Sequence, residues 1–224
     1  MSTIPHLILA MTGGLVAGLT LAALPLWRLR RALRTARYQA GHDDTTGLPN
    51  RRTFLTALQS AVAAGRPFGV ILLDLDGFKA VNDTYGHETG NDLLTAVAHR
   101  LNAVPAPAVL AARLSGDEFA VLALGGPDEV HTAAQAAADA VGAEPAVLDG
   151  GTTIAVHASV GYTTSRLGIT ARTLLREADE AVYRAKTHPS GLRRHQPVAP
   201  EAHSVAGTAG QPHAAPRRSR DRRH

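Results

Sequence analysis

The chain has 224 residues, which suits one domain of about 150 residues with flanking segments. Hydrophobic residues make up 45% of it, enough for a buried core; cysteine is absent and no two of the eleven histidines stand at HxxxH spacing, which excludes a disulfide framework and thiolate chemistry and disfavours a zinc site. The net charge of +4 is segregated: residues 43–191 carry 11 Lys/Arg against 17 Asp/Glu, while residues 28–42 hold five arginines and no acid and residues 192–224 seven arginines and two acids, so the basic balance belongs to the flanks and gives no sign of a nucleic-acid-binding fold.

In chain order, Leu7 to Trp27 is a run of 21 residues without a charge, followed at once by Arg28, Arg30, Arg31, Arg34 and Arg37. That length and flank predict a single-pass anchor over residues 1–27 in the inner or cell membrane, a basic juxtamembrane helix over 28–42, and everything beyond in the cytoplasm. Gly14 and Gly18 make a GxxxG step within the run. Asn50 is a plausible N-cap for a helix with the stripe Phe54, Leu55, Leu58, Ala61 and Val62. Gly69–Leu75 reads as a strand, and Leu94, Val97, Leu101 and Val104 fall at helix spacing. Leu110–Leu114 and Phe119–Leu124 read as a hairpin around the turn Ser115–Glu118. A helix over Asp128–Val141, a strand over Ala155–Tyr162 and a helix over Thr170–Lys186 complete a helix followed by β-α-β-β-α-β-α. This order predicts an α+β, ferredoxin-like fold: an antiparallel sheet with helices on one face, spanning residues 43–191. Residues 192–224, rich in Pro, Ala, His, Gly and Arg, read as a disordered tail.

The first strand ends in Asp74-Leu75-Asp76, and the hairpin turn carries Asp117 and Glu118. In a β-α-β-β unit these two segments are sheet neighbours, so their carboxylates converge. A DxD or DE step alone is more often a solvated turn. Convergent carboxylates repel one another, and a hard, oxygen-seeking cation such as Mg²⁺ relieves that repulsion while bridging to phosphates. Between the two segments, residues 82–92 combine two glycines with several hydrogen-bonding side chains before a helix, a setting suited to a polar ligand.

The strings DDTTGLPNRR (43–52), DLDGFKAVNDTYGH (74–87), RLSGDEF (113–119), SVG (159–161) and ADEAVYRAK (178–186) resemble, in order and spacing, the motif series of the GGDEF family of diguanylate cyclases. The resemblance implies a palm-like fold shared with nucleotidyl cyclases. It implies condensation of two GTP molecules into cyclic di-GMP with release of two pyrophosphates, one GTP on each subunit of a homodimer, with Mg²⁺ or Mn²⁺ as cofactor. It implies that Asp74, the Leu75 carbonyl and Asp117 hold the metal, with Asp117 also placed to accept the 3′-hydroxyl proton and Glu118 completing the acidic cluster. Lys79 would neutralise developing phosphate charge, Phe78 would face the phosphates through its main-chain N–H, Asn82, His87 and Asn91 would contact the guanosine, and Lys186 would hold the terminal phosphates.

The chain departs from the family pattern at four places. Ser115 stands at the first glycine of the signature, and Asn91 at a position usually held by aspartate. The arginine expected shortly after Lys186 comes only at Arg193, and Ala106 and Val109 occupy the arginine and aspartate positions of the family's feedback site. These departures leave open a second reading, a silent module that binds nucleotide as a scaffold or receptor.

Overall fold

The computed structural model describes residues 23, 25–36, 38–147, 151, 153–187 and 192–195. Residues 25–36 and 38–41 are helical and form α1, whose Leu26, Trp27, Leu29 and Leu33 are exposed. The expected membrane placement is not borne out. Among the described residues no helix is long and apolar enough to cross a membrane. The helix that carries Leu26 and Trp27 runs on through Arg28, Arg30, Arg31 and Arg34, and guanidinium groups at that density are costly in hydrocarbon. Residues 1–22 and 24, where most of the expected span falls, lie outside the described residues, so the single-pass membrane assignment is not retained.

Asn50 caps α2 (Arg51–Ala64) as the sequence predicts, its side chain accepting the Thr53 N–H at 3.1 Å. The helix stops at Gly65, which takes the left-handed conformation that a residue without Cβ adopts at little cost. Then follow β1 (Phe68–Leu75), α3 (Phe78–Tyr85), α4 (His87–Asn102), β2 (Ala108–Ser115), β3 (Glu118–Leu124) and α5 (Pro127–Gly142). The chain continues with the two-residue strands β4 (Ala146–Val147) and β5 (Thr153–Ile154), then β6 (Ala158–Thr164), α6 (Ala171–Lys186) and β7 (Leu192–Arg194).

The main sheet has the order β2-β3-β1-β6-β7, antiparallel except for the parallel pair β6–β7. Strand β1 lies at its centre. Ile71, Leu73 and Leu75 point into one core with α4 and α5, while Val70 and Leu72 point into a second with α2 and α6. Helices therefore cover both faces, not one as expected. A central strand buried on both sides is apolar at nearly every position, which is why GVILLDL shows no alternation. Residues 82–92, read from sequence as a polar ligand segment ahead of a helix, are themselves mostly helical: α3 takes in residues 82–85 and α4 begins at His87, with Phe78 and Val81 of α3 packed on the core. The assumed tail begins with ordered structure: β7 adds a fifth strand and the His195 N–H donates to the Tyr162 carbonyl at 2.8 Å, while residues 196–224 lie outside the described residues.

Two features set the position of α6. A Cβ on Gly161 would come within 2.2 Å of the Val182 backbone N and 2.5 Å of the Ala178 carbonyl, so only glycine lets helix and strand approach this closely. That gives the SVG string its physical meaning. Glu177, buried at the same contact, accepts from Thr163 at 2.8 Å and from both terminal nitrogens of Arg166. These hydrogen bonds, the guanidinium first, hold its carboxyl down at about 2.

Candidate active site

Asp74 leaves the sheet near the end of β1, directly opposite Glu118 on β3 and Ser159 on β6. Opposite residues in an antiparallel pair share a face, so the Asp74 and Glu118 carboxylates emerge side by side on the α6 face. The intervening turn is stapled to β1 by the Leu75 N–H, which donates to the Asp117 carbonyl at 3.2 Å. From the far side, Arg113 donates Nε and Nη2 to the Gly116 carbonyl at 2.9 and 2.8 Å and Nη1 to Asp43 at 2.8 Å. Burial alone would raise the Asp43 carboxyl, but the Arg113 and Thr46 hydrogen bonds outweigh it and hold Asp43 below its usual range. The turn carrying the signature acids is thus tied to the segment that follows α1. Arg113 and Asp43 both lie in quoted motif strings, but their pairing across 70 residues had no signal in the sequence.

The acids meet different partners. Lys186, the last residue of α6, places Nζ 2.9 Å from Asp74 Oδ1. The Ser115 hydroxyl donates to Glu118 Oε2 at 2.5 Å, a short charge-assisted bond. Asp76 turns towards β6, accepting from Ser159 Oγ at 2.8 Å, with its N–H on the His157 carbonyl at 3.0 Å. The Asp117 carboxyl is pushed up, by burial first and then by the neighbouring Asp74 and Glu118 charges, with its own backbone hydrogen bond and Lys186 opposing. Among the described residues no three acidic or histidine side chains close on a common metal position. The donor set itself, carboxylate oxygens with one member disfavouring its own charge, suits a hard divalent cation. A cavity of about 390 Å³ opens beside the cluster, lined among others by Asp74, Glu118, Leu72, Phe119, Leu175 and Arg51.

The remaining predicted residues lie along α3 and α4. Lys79 is well exposed and bonds Asp83 one turn on at 2.7 Å, so it is not aimed at the acids. Phe78 opens α3 and packs on the core. His87 begins α4 and Asn91 follows one turn later, both exposed. Asn82 is the exception: its Oδ1 is buried and has no hydrogen-bond partner, alone in this among the side-chain atoms of the described residues. A Cβ on Gly90 would lie 1.9 Å from that oxygen, so the glycine leaves room for the asparagine. An orphaned buried acceptor costs about 1–3 kcal/mol until a donor reaches it, which suits a ligand site.

A family profile described as "Diguanylate cyclase, GGDEF domain" matches residues 40–191. An "Uncharacterized signaling protein" of Caulobacter vibrioides is 41% identical over 187 residues, covering 80% of this chain and 23% of that protein. The diguanylate cyclase VdcA of Vibrio cholerae is 39% identical over 105 residues, covering 47% of this chain and 31% of its own length. The chain thus spans a third or less of these curated relatives. Among solved structures, the coiled coil and GGDEF domain of DgcB from Caulobacter crescentus, in complex with c-di-GMP, aligns with a TM-score of 0.72 at 28% identity, covering 80% of this chain and 98% of that one. The ordered motif strings, the paired acidic strand ends and a profile matched across most of the chain agree, and the chain belongs to the GGDEF domain family of diguanylate cyclases.

Proposed function

We propose that the chain is a diguanylate cyclase, joining two GTP molecules into one cyclic di-GMP with release of two pyrophosphates. The observation that carries this reading is the juxtaposition of Asp74 and Glu118 across β1–β3 with Asp117 in the adjoining turn. Asp74, the Leu75 carbonyl and Asp117 would hold a divalent cation, Mg²⁺ or Mn²⁺, which when bound supplies Lewis-acid polarisation of the α-phosphate and a lower pKa for the attacking 3′-hydroxyl. Asp117 would take the proton of that hydroxyl, a role its raised carboxyl suits because a stronger base accepts a proton more readily. Asn82 would offer its unpartnered carbonyl to a guanine N–H, with His87 and Asn91 flanking the base from α4. Lys79 and Lys186 would turn from Asp83 and Asp74 to the phosphates, and the Phe78 main-chain N–H would face them.

Each closing bond joins the 3′-oxygen of one nucleotide to the α-phosphorus of another, so two loaded copies must face each other. Support for pairing comes from α1, where Leu26, Leu29, Leu33, Ala36 and Ala40 follow the alternating three- and four-residue steps of a two-helix seam and are all exposed. DgcB of Caulobacter crescentus likewise has a coiled coil along with its GGDEF domain. We infer that a second copy of this chain covers the seam.

The test is the full chain incubated with GTP and Mg²⁺, products separated by chromatography. Cyclic di-GMP and pyrophosphate in a one-to-two ratio are expected, with specific activity rising with enzyme concentration. The Ser115–Glu118 bond and Asn91 favour a second reading, a nucleotide-binding receptor without turnover. GTP binding with no product at any enzyme concentration would select that reading.

A further inference from the structure

Lys186 is the only basic side chain that forms an ion pair with the acidic cluster among the described residues. Its helix is locked in place: Gly161 admits the α6 backbone against β6, and Glu177 fixes α6 to Thr163 and Arg166. The ammonium itself is not locked. It makes one contact, its side chain is 46% exposed, and it rides on a flexible four-carbon stem. Ser115 Oγ meanwhile holds Glu118 from the other side. The cluster therefore carries its own internal cation in the position where a divalent ion would otherwise meet Asp74.

We infer that Lys186 is a stand-in cation, and that it couples metal entry to nucleotide entry by exchanging Asp74 for the incoming phosphates. This rests on the diguanylate cyclase reading above. A divalent ion arriving alone must displace the ammonium from Asp74 while the ammonium gains nothing in return. Nucleotide phosphates arriving with it give Lys186 a new anionic partner and leave Asp74 open to the metal. By linkage, whatever factor the nucleotide adds to cation affinity, the cation adds to nucleotide affinity. Lys186 is thus a positioning residue before it is a phosphate contact.

The test uses Mn²⁺ alone as the probe, its binding to the nucleotide-free full chain followed by the paramagnetic resonance signal of the free ion. Wild type, Lys186→Met, Lys186→Gln, Lys186→Arg, Asp117→Asn and Arg172→Met are compared, with circular dichroism checking the fold of each. Arg172 lies at the other end of the same helix, more than about 20 Å away by helix rise, and controls for general loss of positive charge. Lys186→Met and Lys186→Gln are expected to bind Mn²⁺ about tenfold more tightly than wild type, the scale of one close charge pair near a surface. Lys186→Arg and Arg172→Met should remain within about twofold of wild type. Asp117-dependent Mn²⁺ binding of equal strength in wild type and both neutral Lys186 variants would overturn the stand-in role while leaving the metal reading intact. Mn²⁺ binding that Asp117→Asn does not weaken would instead overturn the metal reading and this inference with it.

Discussion

Helix α6 brings two acid–base pairs to the sheet, and the two are built differently. At its end, Asp74 and Lys186 share one contact, with side chains 20% and 46% exposed. About two and a half turns earlier, Glu177 is 3% exposed and satisfied by Arg166 through both carboxylate oxygens and by Thr163. The first pair can exchange partners for little energy, since a solvent-accessible ion pair contributes on the order of 1 kcal/mol. The second cannot, because breaking it strands a buried charge. One helix thus combines a fixed anchor with a movable cation, and the anchor keeps that cation within reach of the acids.

The sharpest way to break this comparison is at the reactive end. On the proposed reading, Asp117→Asn should cut cyclic di-GMP synthesis by at least about a thousandfold, because it would remove a charged oxygen donor and the proton acceptor together. The fold should not suffer. The Asp117 carboxyl is raised in the folded state, so it adds stability below its ordinary value of 3.8 that is lost as pH rises through its folded value. At neutral pH the substitution should leave the melting temperature unchanged or slightly higher. A large drop in melting temperature would mean that the acid is structural.

Glu177 should behave in the opposite way. Its folded value of about 2 lies below the ordinary 4.5, so its contribution is fully present above about pH 4.5 and disappears as pH falls through 2. Glu177→Ala should cost roughly 2–3 kcal/mol at pH 7, a melting shift of several degrees, and the gap to wild type should narrow towards pH 2. Thermal denaturation across pH measures both. A constant gap at every pH would show that packing, not charge, holds Glu177.

The smallest expected effect lies at the proposed base-reading end. Asn91 offers one acceptor where an aspartate offers two, so Asn91→Asp should tighten GTP binding about tenfold and sharpen preference over ATP, with Asp92→Ala nearly silent. Isothermal titration of both nucleotides checks this. Exposure of Asn91 one turn after His87, against the half-buried Asp92, favours Asn91 as the contact. Loss of binding in Asp92→Ala, with Asn91→Asp unchanged, would transfer the role to Asp92.

By itself the sequence determined the order of the elements of the main sheet up to α6, the cap at Asn50 and the meeting of Asp74 with the hairpin acids. Each follows from local chemistry: strand formers between turns, a side-chain acceptor before a helix stripe, and a topology that makes β1 and β3 neighbours. Only the tertiary structure decided that helices cover both faces, because a strand buried on two sides carries no alternation to reveal them. It also decided that residues 78–85 are helical, since Asn82, Asp83 and Thr84 are weak helix formers and packing of Phe78 and Val81 overrides them. The partners of Lys186, Ser115, Arg113 and Glu177 likewise lay beyond the sequence. A side chain's choice of partner depends on distances that chain order does not contain, and Lys186 reaches Asp74 only because Gly161 lets two backbones touch.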